Sequence, residues 1–154
     1  MIATSASMSP VRIVDVAPRL AAVVRRRVRY AEMGDAQRRA RPLLEAALGA
    51  ADVVPDGPPL TVWRPVDGGL VDYAPGLFVP RPIAATGEVS LLTLPAGQAA
   101  HLKLTGSYAG LPAAWERLFA GCEGRARTGL QWEVYTAAGA NPEATETDLF
   151  ALLV

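Results

Sequence analysis

The alternation of apolar and polar positions divides the chain into short strands and two longer helical stretches. "VRIVDV", Val11 to Val16, alternates with a period of two and predicts a strand. After Pro18, "LAAVVRRRVRY" does the same: Val24, Arg26, Val28 and Tyr30 share one face, and Arg25, Arg27 and Arg29 the other. "GDAQRRARPLLEAALGAA", Gly34 to Ala51, changes to helical spacing, with Asp35 placed to cap it and Leu43, Leu44 and Leu48 as its apolar stripe. Pro42 is awkward inside a helix, so either the helix kinks there or the main helix begins there. "VVPDGPP" is a loop by its Pro and Gly content. Leu60 to Val66 and Leu70 to Val79 flank Asp67-Gly68-Gly69 as the arms of a hairpin, with a bulge or break expected at Pro75 and Gly76. "EVSLLTL" and "AAHLKLT" follow as two more strands. "SYAGLPAAWERLFAGC" is a second helix, its stripe formed by Leu111, Trp115, Leu118 or Phe119, and Cys122, with Gly121 and Gly124 as stops. The strand "GLQWEVYT", a Gly-Asn-Pro loop and the strand "ETDLFALLV" close the chain.

The order β, β, α, β, β therefore occurs twice. "VVRRRVRYAEMGDAQ" parallels "LKLTGSYAGLPAA", making Tyr30 and Tyr108 equivalent; "PLTVWRP" parallels "GLQWEVY", matching Trp63 to Glu133; "VDYAPGLFV" parallels "TDLFALLV", matching Asp72 to Asp148. The pattern predicts an α+β fold of two β-α-β-β units related by a pseudo-twofold, with an antiparallel sheet, two main helices and a central ligand groove. The repeat halves run about 11–80 and 88–154 within a single domain, 11–154, after a disordered tail over residues 1–10.

Composition narrows the function. Fifteen basic and fifteen acidic residues balance to zero, which argues against direct nucleic-acid binding or a grip on an acidic membrane. The three exposed arginines of the second strand read as a solvated face that blunts a sheet edge. One cysteine, Cys122, and one histidine, His101, leave no internal disulfide and no multi-Cys or multi-His metal site, and no cofactor is implied. The opening "MIATSASMSP" is not a signal peptide, and no apolar run approaches the roughly 20 residues that span a bilayer. A cytoplasmic domain is expected. Heavy use of Ala, Arg, Gly and Pro with a single lysine suggests a GC-rich coding genome and says little about function.

Chemistry concentrates on Glu133. In a strand, Gln131, Glu133 and Tyr135 share one face, and Trp132 and Val134 the other. If both faces are covered, the carboxylate is buried and needs a partner, a shifted pKa or a ligand. A salt bridge, for instance to Arg64, or a position reaching the sheet edge would be the plain explanation. The repeat offers another: Trp63 at the equivalent site, where an indole facing a carboxylate makes a receptor for an apolar cation. Tyr135 and Tyr73 could add walls. His101 reads as structural or exposed, Cys122, Trp115 and Trp132 as packing, and Asp72 and Asp148 as turn or strand-start residues.

"LPAGQAAHLKLTGSYAGLPAAWERLFAG", followed by "QWEVY" and "TETDLFALLV", resembles the second half of GyrI-like small-molecule-binding domains, and "LAAVVRRRVRYAEM" resembles their first-half strand and helix entry. The likeness runs from about Val11 to the C-terminus. It implies a duplicated β-α-β-β fold with a ligand groove, often the effector domain of AraC- or MerR-type regulators, in which a glutamate meets cationic aromatic drugs. Glu133 matches that glutamate, and Tyr135 and Tyr108 match recurrent family tyrosines; Trp63, Tyr73 and Tyr30 complete the candidate ligand set. Only about ten residues precede the first strand, so transcriptional regulation would need a partner. Stand-alone relatives imply two alternatives: hydrolysis of cyclopropane-bearing alkylating antibiotics, with Glu133 as general base, or a protein-interaction module acting on a regulator or DNA gyrase.

Overall fold

The computed structural model describes residues 6–122, 124–137 and 141–154. The strands are β1 (Ser7–Met8), β2 (Arg12–Val16), β3 (Arg19–Val24), β4 (Arg26–Arg29), β5 (Pro59–Val66), β6 (Leu70–Phe78), β7 (Val89–Leu94), β8 (Gly97–Thr105), β9 (Arg127–Ala137) and β10 (Glu146–Leu153). The helices are α1 (Met33–Ala50) and α2 (Leu111–Ala120), each entered through a 3₁₀ turn, Tyr30–Glu32 and Tyr108–Gly110. The chain divides into two compact units: Ala17–Ala96, and Gly97–Val154 with the N-terminal segment to Val16. Of the expected tail and the Gly-Asn-Pro loop, residues 1–5 and 138–140 lie outside the described residues. Within the segment expected to fray, Ser7 and Met8 instead pair with Thr105 and Leu104, and Ser9 Oγ accepts from Lys103 N–H at 2.8 Å. Among the described residues no helix is long and apolar enough to cross a membrane.

In the middle unit the strand order is β7-β3-β6-β5, with β4 also on β6. The expected break at Pro75 and Gly76 falls elsewhere. β6 runs unbroken through both residues, paired with Thr61 and Leu60 of β5. The interruption is in the neighbouring strand, at Arg25 between β3 and β4, opposite Ala74 and Pro75. Proline has no N–H to give that neighbour, so the ladder can lapse there without orphaning a donor on β6. Gly76 is needed for a different reason: a Cβ there would lie 2.6 Å from the Ala22 carbonyl oxygen. The hairpin turn has Gly68 and Gly69 at φ of +81° and +73°, a conformation that favours glycine at both positions.

Helix α1 is one element from Met33, so it does not start at Pro42. Pro42 and Arg38, whose carbonyl the proline leaves unpaired, are both solvent-exposed, where water can hydrate the freed oxygen. Asp35 is not the cap. Glu32 holds that position because the 3₁₀ turn feeds straight into the helix; Asp35 pairs with Arg38 and Arg39 in the first turn instead. Ala40, Leu44, Leu48, Val24, Leu77 and Val79 form the core between α1 and the sheet. Arg25, Arg27 and Arg29 are solvent-exposed as expected, Arg27 bridging Asp72, while Arg26 on the other face is half-buried and bridges Glu88.

In the other unit β2 and β1 flank β8, followed by β10 and then β9. Helix α2 buries Ala114, Trp115 and Leu118 and turns Glu116 and Arg117 to water. The two units follow the same rule. β3-α1-β5-β6 and β8-α2-β9-β10 each place their last strand between the other two. Their registers agree with the repeat: Trp63 pairs with Tyr73 and Arg64 with Asp72, as Glu133 pairs with Leu149 and Val134 with Asp148. Trp63 and Glu133, like Asp72 and Asp148, thus occupy equivalent ladder positions.

Candidate ligand site

β9 is buried on both faces at its centre, since Gln131, Trp132, Glu133 and Val134 are all buried. The alternation assigns Gln131, Glu133 and Tyr135 to the face that α2 covers. Glu133 is 7% exposed. Trp115 Nε1–H on α2 donates to Glu133 Oε1 at 3.3 Å, and the Tyr135 hydroxyl donates to Oε2 at 3.5 Å. Both bonds are long, and no arginine or lysine among the described residues of this unit pairs with the carboxylate. Burial pushes its pKa up to about 7; the bonds from Trp115 and Tyr135 pull it back only in part. Tyr108, at the entry to α2, packs edge-on against Tyr135 with ring centroids 5.7 Å apart. Burial, and secondarily the Glu133 charge, raises the Tyr108 pKa. With Tyr108 47% exposed and Tyr135 half-buried, the aromatic wall leads from solvent toward the carboxylate.

Two further polar side chains lie on this face. Gln131 and Thr147 are 2% and 0% exposed, and neither Gln131 Oε1 nor Thr147 Oγ1 has a hydrogen-bond partner among the described residues. Thr147 is two residues from Leu149, which pairs with Glu133, so the three oxygens share one side of the sheet.

The structure therefore brings Glu133, Tyr135 and Tyr108 together and adds Trp115 and Gln131. Trp115 reads from its helix stripe as plain core, yet its indole N–H addresses the carboxylate. The usable signal was its spacing: Tyr108 precedes Trp115 by seven residues, as Tyr30 precedes Gln37. Trp63, Tyr73 and Tyr30 belong to the middle unit. There Trp63 packs with Tyr73, Ala36 and Val71, the Tyr73 hydroxyl accepts from Gln37 Nε2 at 2.8 Å, and Tyr30 is 62% exposed. His101 and Trp132 lie on the sheet face opposite Glu133, in line with Phe150. His101 Nε2 is 2.8 Å from Asp148 Oδ1, and Trp132 stacks on Phe150.

A buried carboxylate without a cationic partner among the described residues of its unit, under a helix and beside an aromatic wall, on one unit of a duplicated β-α-β-β chain, has the character of a small-molecule site in an α+β domain. The chain belongs to the GyrI-like small molecule binding domain family, which it matches over residues 9–153. No curated protein matches it. Among solved structures it is similar to the C-terminal domain of EcmrR, with 13% identity and a TM-score of 0.81, covering 94% of this chain and 96% of that one. In the EcmrR–DNA complex, where identity is 14% and the TM-score 0.81, the match covers 95% of this chain but 57% of the EcmrR chain. SAV2435 bound to tetraphenylphosphonium is also similar, at 10% identity and a TM-score of 0.72, with 95% and 94% covered. So is a hydrolase from Listeria innocua, at 16% identity and a TM-score of 0.67, with 94% and 92% covered. At these identities the likeness shows the fold.

Proposed function

We propose that the domain binds hydrophobic, planar and often cationic small molecules, with Glu133 as the counter-charge and Trp115, Tyr135 and Tyr108 as the polar and aromatic surround. The carrying observation is a carboxylate 7% exposed whose only partners shown are two long, neutral hydrogen bonds. An aromatic cation supplies what such a group lacks, compensating the charge while its rings replace water against tyrosine and indole. The tetraphenylphosphonium complex of SAV2435 supports the reading. The repeat keeps Trp63, with Tyr73 and Tyr30, as candidate ligand residues of the middle unit. The protein is taken to act in the cytoplasm, in keeping with its single cysteine. Fluorescence titration with a planar cationic dye tests the assignment. Glu133→Gln should weaken binding by more than about tenfold and Trp63→Ala by less; unchanged affinity in both variants refutes the site.

A second reading is a hydrolase in which Glu133 takes a proton from water as it attacks an electrophilic carbon. The pKa of about 7 favours it, because a base poised near neutral pH can both accept and release a proton. Mass spectrometry after incubation with a cyclopropane-bearing alkylator separates the two. An enzyme yields a water adduct over many turnovers; a binder returns the compound intact.

A further inference from the structure

The two units differ in how the helix serves the strand beneath it. By the shared register, Thr61 of β5 is equivalent to Gln131 of β9: Thr61 pairs with Pro75, and Gln131 with Ala151. By the shared spacing from the entry tyrosine, Gln37 of α1 is equivalent to Trp115 of α2. In the middle unit Gln37 Nε2 donates to Thr61 Oγ1, so the helix satisfies the strand's oxygen. In the other unit the equivalent helix residue carries one N–H, and it goes to Glu133. Gln131 Oε1 has no partner among the described residues, on a side chain 2% exposed. An unpaired buried carbonyl oxygen is costly to maintain. Gln131 is two residues from Glu133 on the same strand face, about 7 Å along the strand, within the span of a small molecule's polar groups.

We propose that the site selects ligands bearing N–H donors, protonated primary or secondary amines, with Gln131 Oε1 as the acceptor that reads the N–H. The inference rests on the reading of Glu133 as the ligand's counter-charge. A permanent cation such as a phosphonium or quaternary ammonium satisfies Glu133 and leaves Gln131 unpaired. An ammonium or a secondary amine can address both. Thr147 Oγ1, on the same face, is a further buried oxygen without a partner among the described residues.

The test uses the full chain and a matched pair of fluorescent probes: protonated 9-(aminomethyl)anthracene and its N,N,N-trimethylammonium counterpart. The expected result is that the wild type favours the primary ammonium by about tenfold. Gln131→Leu and Gln131→Met should both collapse that ratio toward one, the loss falling chiefly on the primary ammonium. Both variants should fold and melt close to the wild type, since they remove a buried carbonyl oxygen that has no partner among the described residues. A ratio near one in the wild type, a ratio unchanged in the variants, or a marked loss of stability in both variants overturns this inference. If the probes still depend on Glu133 in those cases, the proposed function stands. Binding that ignores Glu133→Gln, or no binding of either probe, overturns the proposed function and this inference with it.

Discussion

The middle unit and its partner unit share one β-α-β-β plan but treat polar groups under the helix in opposite ways. Beneath α1, Gln37 donates to both Thr61 and Tyr73, a neutral network that the protein completes from its own side chains. Beneath α2, the ladder position held by Trp63 in the middle unit carries Glu133, and the helix answers with a single indole N–H. Neutral hydrogen bonds of this kind stabilise the unit that holds them. A buried carboxylate with weak neutral donors costs stability, and a chain retains such a cost where a ligand or a reaction uses it. On the proposed reading, the first helix is scaffold and the second serves the ligand site.

The comparison can be broken most sharply by stability against pH. Glu133 has a folded-state pKa of about 7, above its ordinary value of 4.5. Folding therefore favours the protonated carboxyl: its contribution is fully present below the ordinary value and is lost as pH rises through about 7. The loss is about 3 kcal/mol, an order-of-magnitude figure. Denaturant titrations of the wild type from pH 4 to 9 should show that fall. Glu133→Gln should flatten it and be the more stable protein at pH 8. A wild-type curve that is flat or rises over this window contradicts the burial of an unpaired carboxylate.

The same titration governs binding. A permanent cation needs the charged carboxylate, so tetraphenylphosphonium should bind about a hundredfold more weakly at pH 5 than at pH 8.5, with the change centred near pH 7. Calorimetry at several pH values checks this, and proton release on binding near pH 7 should accompany it. Glu133→Gln should show weak binding at every pH.

The middle unit supplies the contrasting case. Gln37→Leu removes the donor to Thr61 Oγ1 and Tyr73 Oη, and should cost about 1–2 kcal/mol. That loss should be the same at pH 5 and pH 8, because no charge is involved. A pH-dependent loss would mean that the two networks are not the neutral and charged versions of one arrangement.

The plan of the fold could be read from the chain because it rests on periodicity. The hairpin around Gly68 and Gly69, the repeat register and the burial of β9 on both faces all follow from alternation and turn chemistry. What alternation does not carry is where a ladder lapses. Pro75 marked the place, but the break passed to Arg25 on the adjacent strand, since the proline's missing N–H matters to its neighbour as much as to itself. Helix starts were equally hidden: a 3₁₀ turn before α1 displaced Asp35 from the cap. At the site, strand alternation paired Glu133 with Tyr135. Trp115 escaped because a large apolar residue on a helix stripe reads as core. Only the third dimension shows that the polar edge of its ring meets the carboxylate.

The finest distinction concerns the two donors to Glu133. Trp115→Phe keeps a ring and removes the 3.3 Å bond; Tyr135→Phe keeps a ring and removes the 3.5 Å bond. Each bond favours the charged carboxylate, with Trp115 the larger influence, so each variant should raise the Glu133 pKa and Trp115→Phe should raise it more. The midpoint in the free protein, followed by carboxyl carbon-13 NMR, is the clean measurement, because affinity would mix charge with lost wall contacts. Phosphonium affinity at pH 7 should drop by about threefold in Trp115→Phe and less in Tyr135→Phe. If neither substitution moves the midpoint, the carboxylate does not lean on α2, and the contrast with Gln37 in the middle unit loses its physical basis.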